Sequence, residues 1–335
     1  FYAEKVRKAK YDLDSNEVKQ YLQLDKLREG MFWAATRLFG YEFAPVTDVP
    51  VYHPDVRVWR VSREGAHVGL FYFDPYARAG KRSGAWMSAY RSQQKLAGDI
   101  KPIVSNNLNL VKAAPGQPVL VSWDDAETLF HEFGHALHGL SSNVKYPTQA
   151  GTSVARDYVE LPSQIYEHWL ATPQLLNEFA RHHATGQALP KELLEKIERA
   201  AKFNQGFLTT DMKLHTMADP GNLDPGRFEK ETLASLNMPK ELPMRHRTPQ
   251  FAHIFSSEGY AAGYYSYLWA DALTADAWEA FLEAKGPYDT EVAKRFFENV
   301  LSKGDTVDPA EAYRKFRGRD VDTNALMRDR GFPVK

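Results

Sequence analysis

The chain has 335 residues, 43% of them hydrophobic and 25% charged, with a net charge of −1 and no cysteine. That is an ordinary globular composition, long enough for one large or two medium domains. The near-neutral charge argues against nucleic acid or an anionic membrane as a bulk partner, no run is long enough to span a bilayer, and any metal must be held by His, Asp or Glu.

Phe1 to Arg7 has neither an initiator Met nor a signal-peptide pattern and reads as the middle of an amphipathic helix. Asn16 to Leu27 carries Val18, Tyr21, Leu22 and Leu24 at helical spacing, and Met31 to Phe39 continues after Gly30. The stretch 41–52, broken by prolines, reads as a connection. Val56 to Val61 alternates and Val68 to Phe73 is a short apolar run, with Arg63-Glu64-Gly65 as a hairpin turn between them. Ala79 to Gly84 is basic, lacks Walker spacing and reads as a flexible, solvated loop. Pro102 to Val111 reads as another strand. A small sheet is therefore expected at about 51–111, two helices at about 123–170, and a helical remainder over 171–335. Within that remainder, helices are expected at Pro190–Phe203, Arg227–Leu236, Tyr260–Leu282 and Thr290–Leu301, then a charged tail with short helix potential from Gly318.

Thr128 to Gly139 contains His131-Glu132-Phe133-Gly134-His135, an H-E-x-x-H pattern. On a helix the two histidines lie four residues apart on one face. Two imidazoles so placed can hold one Zn²⁺, with Glu132 positioned to act on water. The helix has its own support. Ser122 is an N-cap, Asp125 is the acid of a capping box, Asp124 and Asp125 suit the positive end of the dipole, and Gly139 reads as the C′ residue. Glu127, one turn before His131, is either an acceptor for a ligand imidazole or a solvated acid.

A catalytic zinc site needs a third protein ligand and an open position. H-E-x-x-H-x-x-G-x-x-H is ruled out, because position 138 is His and position 141 is Ser. The alternative is a carboxylate from a following helix: Asp157, Glu160 or Glu167.

Several motifs resemble the thimet-oligopeptidase (M3) family of zinc metallopeptidases. They are the His131–His138 helix, Gly151-Thr152-Ser153 with Arg156 to Gln164, and Gly259 to Trp269. Val51 to Trp59, Ser83 to Met87 and Glu167-His168-Trp169 are most similar to the bacterial dipeptidyl carboxypeptidase branch. The resemblance implies a mainly α fold with a small β-sheet, the zincin-like H-E-x-x-H gluzincin half of a two-lobed channel peptidase, with one zinc on the channel floor. It makes His131, His135 and Glu160 the metal ligands and Glu132 the general base. It brings His253, Tyr260 and Tyr267 to the site, where a tyrosine hydroxyl donates to the developing oxyanion. Removing Glu160 should then strip the metal, and removing Glu167 should not. Arg156 is the first candidate for the substrate carboxylate, with a structural ion pair to Asp157 as the plain alternative; Tyr260 and Tyr267 add hydroxyl donors there, and Tyr264 is a further substrate-binding candidate.

The implied reaction is release of C-terminal dipeptides from oligopeptides. An endo-acting oligopeptidase is the alternative, and a silent zinc-binding interaction protein the remote one. Gly259 and Gly263 suggest a loop closing on the peptide, and relatives carry several more residues near Thr210-Asp211. The resemblance matches the C-terminal half of such enzymes, so the N-terminal part of the same protein, attached or nicked, is an expected partner. Neither nucleic acid nor membrane is expected as a partner. The cytoplasm is the expected compartment and the periplasm the alternative.

Overall fold

The computed structural model describes residues 14–201, 221–235, 237 and 263–334. Its first helix, α1 (Ser15–Lys19), stops short of the expected Leu27. The backbone at Gln23 leaves the helix to bridge Leu120, Leu24 N–H donates to Val119 and Val121 N–H to Leu22. α2 (Leu24–Phe39) then runs straight through Gly30, whose missing side chain makes room for the Phe179 ring.

Five strands form one sheet: β1 (Tyr41–Val46), β2 (Arg57–Arg63), β3 (Ala66–Tyr76), β4 (Trp86–Arg91) and β5 (Ile103–Leu110). Their order is β1-β2-β3-β5-β4, with only β3 and β5 parallel. The hairpin turn falls where expected, at Glu64 and Gly65, both at positive φ. Two strands were not expected. β1 occupies the supposed connection and tolerates Pro45 because it is an edge strand. β4, the other edge, has no buried residue and lacks an apolar alternation. The basic loop is not loose either. Lys81, 3% exposed, bridges the buried Asp74 carboxylate at 3.0 Å and the carbonyls of Asp74 and Tyr76.

α3 (Trp123–Ser141) lies against this sheet. Ser122 caps it, with Asp125 completing the capping box as expected. Gly139 does not end the helix, which continues to Ser141. A Cβ there would meet Met87 and Val104, so its smallness lets helix and sheet approach closely. Phe133 sits with Phe32, Phe71 and Tyr166 at ring separations of 5.2–5.6 Å. Burying this face fixes the rotation of α3 about its axis.

The remainder is helical: α4 (Leu161–Leu170), α5 (Pro173–Phe179), α6 (Lys191–Ala201), α7 (Pro225–Ser235), α8 (Ser266–Glu283), α9 (Thr290–Phe296) with a π-turn over Phe297–Leu301, α10 (Pro309–Arg317) and α11 (Asn324–Asp329). The chain is thus mainly α with a small sheet, as expected. The charged tail is clamped to α8: Arg317 and Arg319 reach Asp276, Arg328 reaches Glu279 and Arg330 reaches Asp271. Among the described residues no helix is long and apolar enough to cross a membrane. The expected amphipathic start at residues 1–7 and the site near Thr210-Asp211 lie outside the described residues.

Candidate metal centre

α3 and α4 cross in close contact, and glycine makes the crossing possible. A Cβ on Gly134 would lie 2.3 Å from the Pro162 carbonyl oxygen and 2.6 Å from Ser163 Cα. No real Cβ tolerates that. Gly134 stands between the two histidines, so the close approach brings Glu160, at the head of α4, beside them. Glu160 Oε2 lies 3.2 Å from His131 Nε2 and 3.1 Å from His135 Nε2. These three residues are the one group of His and acidic side chains, among the described residues, whose donor atoms all fall within 4.8 Å.

The donor set fits zinc. Tetrahedral bonds of about 2.0–2.1 Å put ligand atoms about 3.3–3.4 Å apart, close to the separations seen. The Glu132 carboxylate is 6% exposed, and its Oε2 has no hydrogen-bond partner among the described residues.

Neighbouring groups hold the ligands in place. Glu167 Oε1 is 2.6 Å from His131 Nδ1, so this carboxylate accepts the Nδ1 proton and leaves Nε2 free to bind metal. Ser163 Oγ donates to Glu160 Oε2 at 2.9 Å and to the Glu160 carbonyl at 2.8 Å. The fully buried Asn106 of β5 donates to the Glu132 carbonyl at 2.6 Å, tying the sheet to the helix.

The electrostatics follow. Burial alone would lower the His131 pKa, but the Glu160 and Glu167 carboxylates raise it well above the imidazole value. Burial alone would raise Glu160, but hydrogen bonds and charge from His131 and His135 hold it far below the carboxylate range. Glu132 is raised, first by burial and then by the charges of Glu160 and Glu167, against the two imidazoles.

Other expected site residues are less gathered. Arg156 is exposed on the turn before Glu160. Its supposed partner Asp157 accepts from the Tyr265 hydroxyl at 3.5 Å. Tyr264 and Tyr267 have ring centroids 5.3 Å apart, and the Tyr267 carbonyl accepts from Gln164. His253, Tyr260 and Gly259 of the expected closing loop lie outside the described residues. Glu127 does not serve a ligand histidine; it accepts from the Trp123 indole at 2.8 Å. The carboxylate that meets a ligand imidazole is instead Glu167, one of the three acids weighed as a third ligand. The signal was available: Glu160, Ser163 and Glu167 fall at i, i+3 and i+7, one face of one helix.

The model of peptidase family M3 matches residues 1–332. The chain belongs to this family. The dipeptidyl carboxypeptidase of Escherichia coli (strain K12) is 42% identical over 346 aligned residues, covering 100% of this chain and 50% of that protein. Its Salmonella typhimurium counterpart is 41% identical, covering 99% of this chain and 50% of that protein. Oligopeptidase A of Escherichia coli (strain K12) is 37% identical, again over 99% and 50%. The chain therefore spans about half the length of the curated relatives it matches. Among solved structures, Trypanosoma cruzi metallocarboxypeptidase 1 is alike at a TM-score of 0.47 and 14% identity, covering 68% of this chain and 50% of that one. Membership of family M3 implies one zinc ion per chain, and the His-His-Glu triangle is the group that fits it.

Proposed function

We propose that this chain is the metal-bearing half of a peptidase that releases dipeptides from the C-termini of oligopeptides. The observation that carries the reading is the triangle of His131, His135 and Glu160 with Glu132 beside it, whose Oε2 has no hydrogen-bond partner among the described residues. The identity to two dipeptidyl carboxypeptidases supports the finer claim about the product.

In this reading His131, His135 and Glu160 hold the metal. A bound zinc ion supplies a Lewis acid and makes water easier to deprotonate. Glu132 takes the proton of the attacking water and returns it to the leaving amine. Its raised pKa brings it nearer the range in which both transfers are easy. Tyr260, Tyr267 and His253 line the site, and a tyrosine hydroxyl there donates to the oxyanion that forms at the scissile carbonyl. Arg156 meets the free carboxylate two residues beyond the cut, Tyr260 and Tyr267 add hydroxyl donors to it, and Tyr264 is a further substrate contact. β4 is paired on one side only among the described residues, which suits an extended peptide adding along it.

The N-terminal part of the same protein completes the channel; the half-length match to the relatives supports this. A 335-residue chain produced alone is expected to bind zinc weakly or aggregate, and a monomeric, fully active product would sink that part of the proposal. The compartment we propose is the cytoplasm, with the periplasm as the alternative; cell fractionation separates them.

The second reading is an endo-acting oligopeptidase, favoured by the 37% identity to oligopeptidase A. One defined peptide, offered with a free and with an amidated C-terminus, with and without a chelator, decides. A peptidase that releases C-terminal dipeptides cuts the free acid far faster. Equal rates on acid and amide favour the second reading, and no chelator-sensitive cleavage of either leaves only a silent zinc-binding protein.

A further inference from the structure

Three polar residues, Ser105-Asn106-Asn107, sit in the middle of β5 and are 0%, 0% and 3% exposed. On the face of β5 turned to α3, Asn106 alternates with Val104 and Leu108, which are apolar and as deeply buried. Val104 packs where a Cβ on Gly139 of α3 would stand. An apolar side chain would therefore suit position 106 as well, and burying an amide there is costly. The Asn106 amide is only half satisfied: its Oδ1 has no hydrogen-bond partner among the described residues.

Its short bond is not needed to complete the helix. Asn106 Nδ2 donates to the Glu132 carbonyl at 2.6 Å. A carbonyl at that place in an α-helix already accepts from the amide four residues on. The added bond instead fixes where α3 stands against the sheet, at the residue that carries the carboxylate base. The next residue of β5 holds β4. Asn107 Nδ2 donates to the Trp86 carbonyl at 3.2 Å and to Ser105 Oγ at 3.1 Å, and Met87 of β4 is the register partner of Asn106. Two adjacent side chains of one strand thus hold β4 and the Glu132 backbone.

We propose that Asn106 is a positioning residue that sets the span between a peptide lying along β4 and the Glu132 carboxylate. The assignment rests on the peptidase reading above. Asn106 acts through the Glu132 backbone. The three metal donor atoms come from α3 and the head of α4, none from the sheet, so zinc is held without Asn106. A misplacement of about 1 Å between reacting groups can lower a rate by about a hundredfold.

The test uses the zinc-loaded full-length protein and one defined peptide with a free C-terminus. Asn106→Leu nearly keeps the side-chain volume and removes the donor; Asn106→Ala removes the donor without crowding. Each should lower kcat by about 10–100-fold, with KM unchanged. Zinc affinity, measured by competition against a chromogenic chelator, should stay at the wild-type value. Leu108→Ala is the control, because it opens the core on the same face of β5 and leaves the bond alone. It should lower the urea midpoint and keep kcat. Unchanged kcat in both Asn106 variants, a loss carried by KM alone, a loss no larger than that of zinc occupancy, an equal loss in Leu108→Ala, or failure of both Asn106 variants to fold overturns the role. A wild-type protein without chelator-sensitive cleavage overturns the peptidase reading and this role with it, and is distinct from an active wild type whose Asn106 variants are equally active.

Discussion

The Glu167 carboxylate lies 2.6 Å from Nδ1 of His131, on the opposite side of the imidazole from the Nε2 that faces Glu160. It selects the tautomer in which Nε2 carries no proton and fixes the ring plane. Partners of this kind typically contribute a factor of about 10–100 in metal affinity. Glu167→Gln should therefore weaken zinc by about that factor, and Glu160→Ala, which deletes a ligand, by far more. Competition against a chromogenic chelator measures both. Wild-type affinity in Glu167→Gln would remove the orienting role.

Glu132→Gln tests the base separately from the metal. The substitution leaves all three donor atoms in place, and the amide is close in size to the carboxylate. Zinc content should stay at one per chain. Turnover should fall by about 10²–10⁴, the usual contribution of a positioned proton-transfer group. Atomic absorption and peptide cleavage on the same sample give the two numbers. Undiminished cleavage by the zinc-loaded variant would end the assignment.

The two halves of this site differ in how far the sequence discloses them. The α3 ligands were legible because spacing, N-cap and capping box all lie within twenty residues of one another. The sheet was half legible. β2 alternates, β3 carries an apolar run and β5 keeps apolar residues at its ends, whereas β1 and β4 are edges, whose sequences need not alternate. The break after α1 was not legible, since hydrogen bonds to Val119–Val121, a hundred residues away, override local helix preference. Gly139 shows the ambiguity of glycine: close packing against Met87 and Val104, not a positive φ, explains it. Lys81 looked solvated because its partner Asp74 is brought to it only by the turn between them.

His138 makes a prediction about acid stability. It is 0% exposed, and neither ring nitrogen has a hydrogen-bond partner among the described residues. Burial, with the charge of His135 adding, pushes its pKa down to about 3 from an ordinary 6.5. Below pH 6.5 the unfolded chain takes up a proton that the folded chain refuses, so stability falls as pH falls toward 3. Above 6.5 both states are neutral there and nothing changes. The slope from this one residue approaches about 1.4 kcal/mol per pH unit. His138→Gln should flatten the fall between pH 6 and 4. Urea midpoints across that range, with chelator present so that the metal ligands behave alike in both proteins, measure it. Parallel curves for wild type and variant would show that His138 is not the cause.

Gly134 carries the last prediction. It separates the two histidines, and its hydrogen-only side chain lets the Pro162 carbonyl come within 2.3 Å of where a Cβ would stand. The obstacle is backbone, so no rotamer change relieves it. In Gly134→Ala either α4 must back away from α3 or the protein must bear the strain. Overpacking of this kind typically costs about 1–3 kcal/mol and sometimes more. The helix itself is no worse, since alanine is the better helix former. Any shift of α4 carries Glu160 with it, because Pro162 and Ser163 follow that ligand by two and three residues. Zinc affinity should therefore fall steeply while the helical signal in circular dichroism is kept. A control substitution at an exposed position of the next helix, such as Gln174→Ala, should leave zinc affinity unchanged. A Gly134→Ala protein that binds zinc as tightly as wild type would mean that the α3–α4 crossing is not what sets the third ligand.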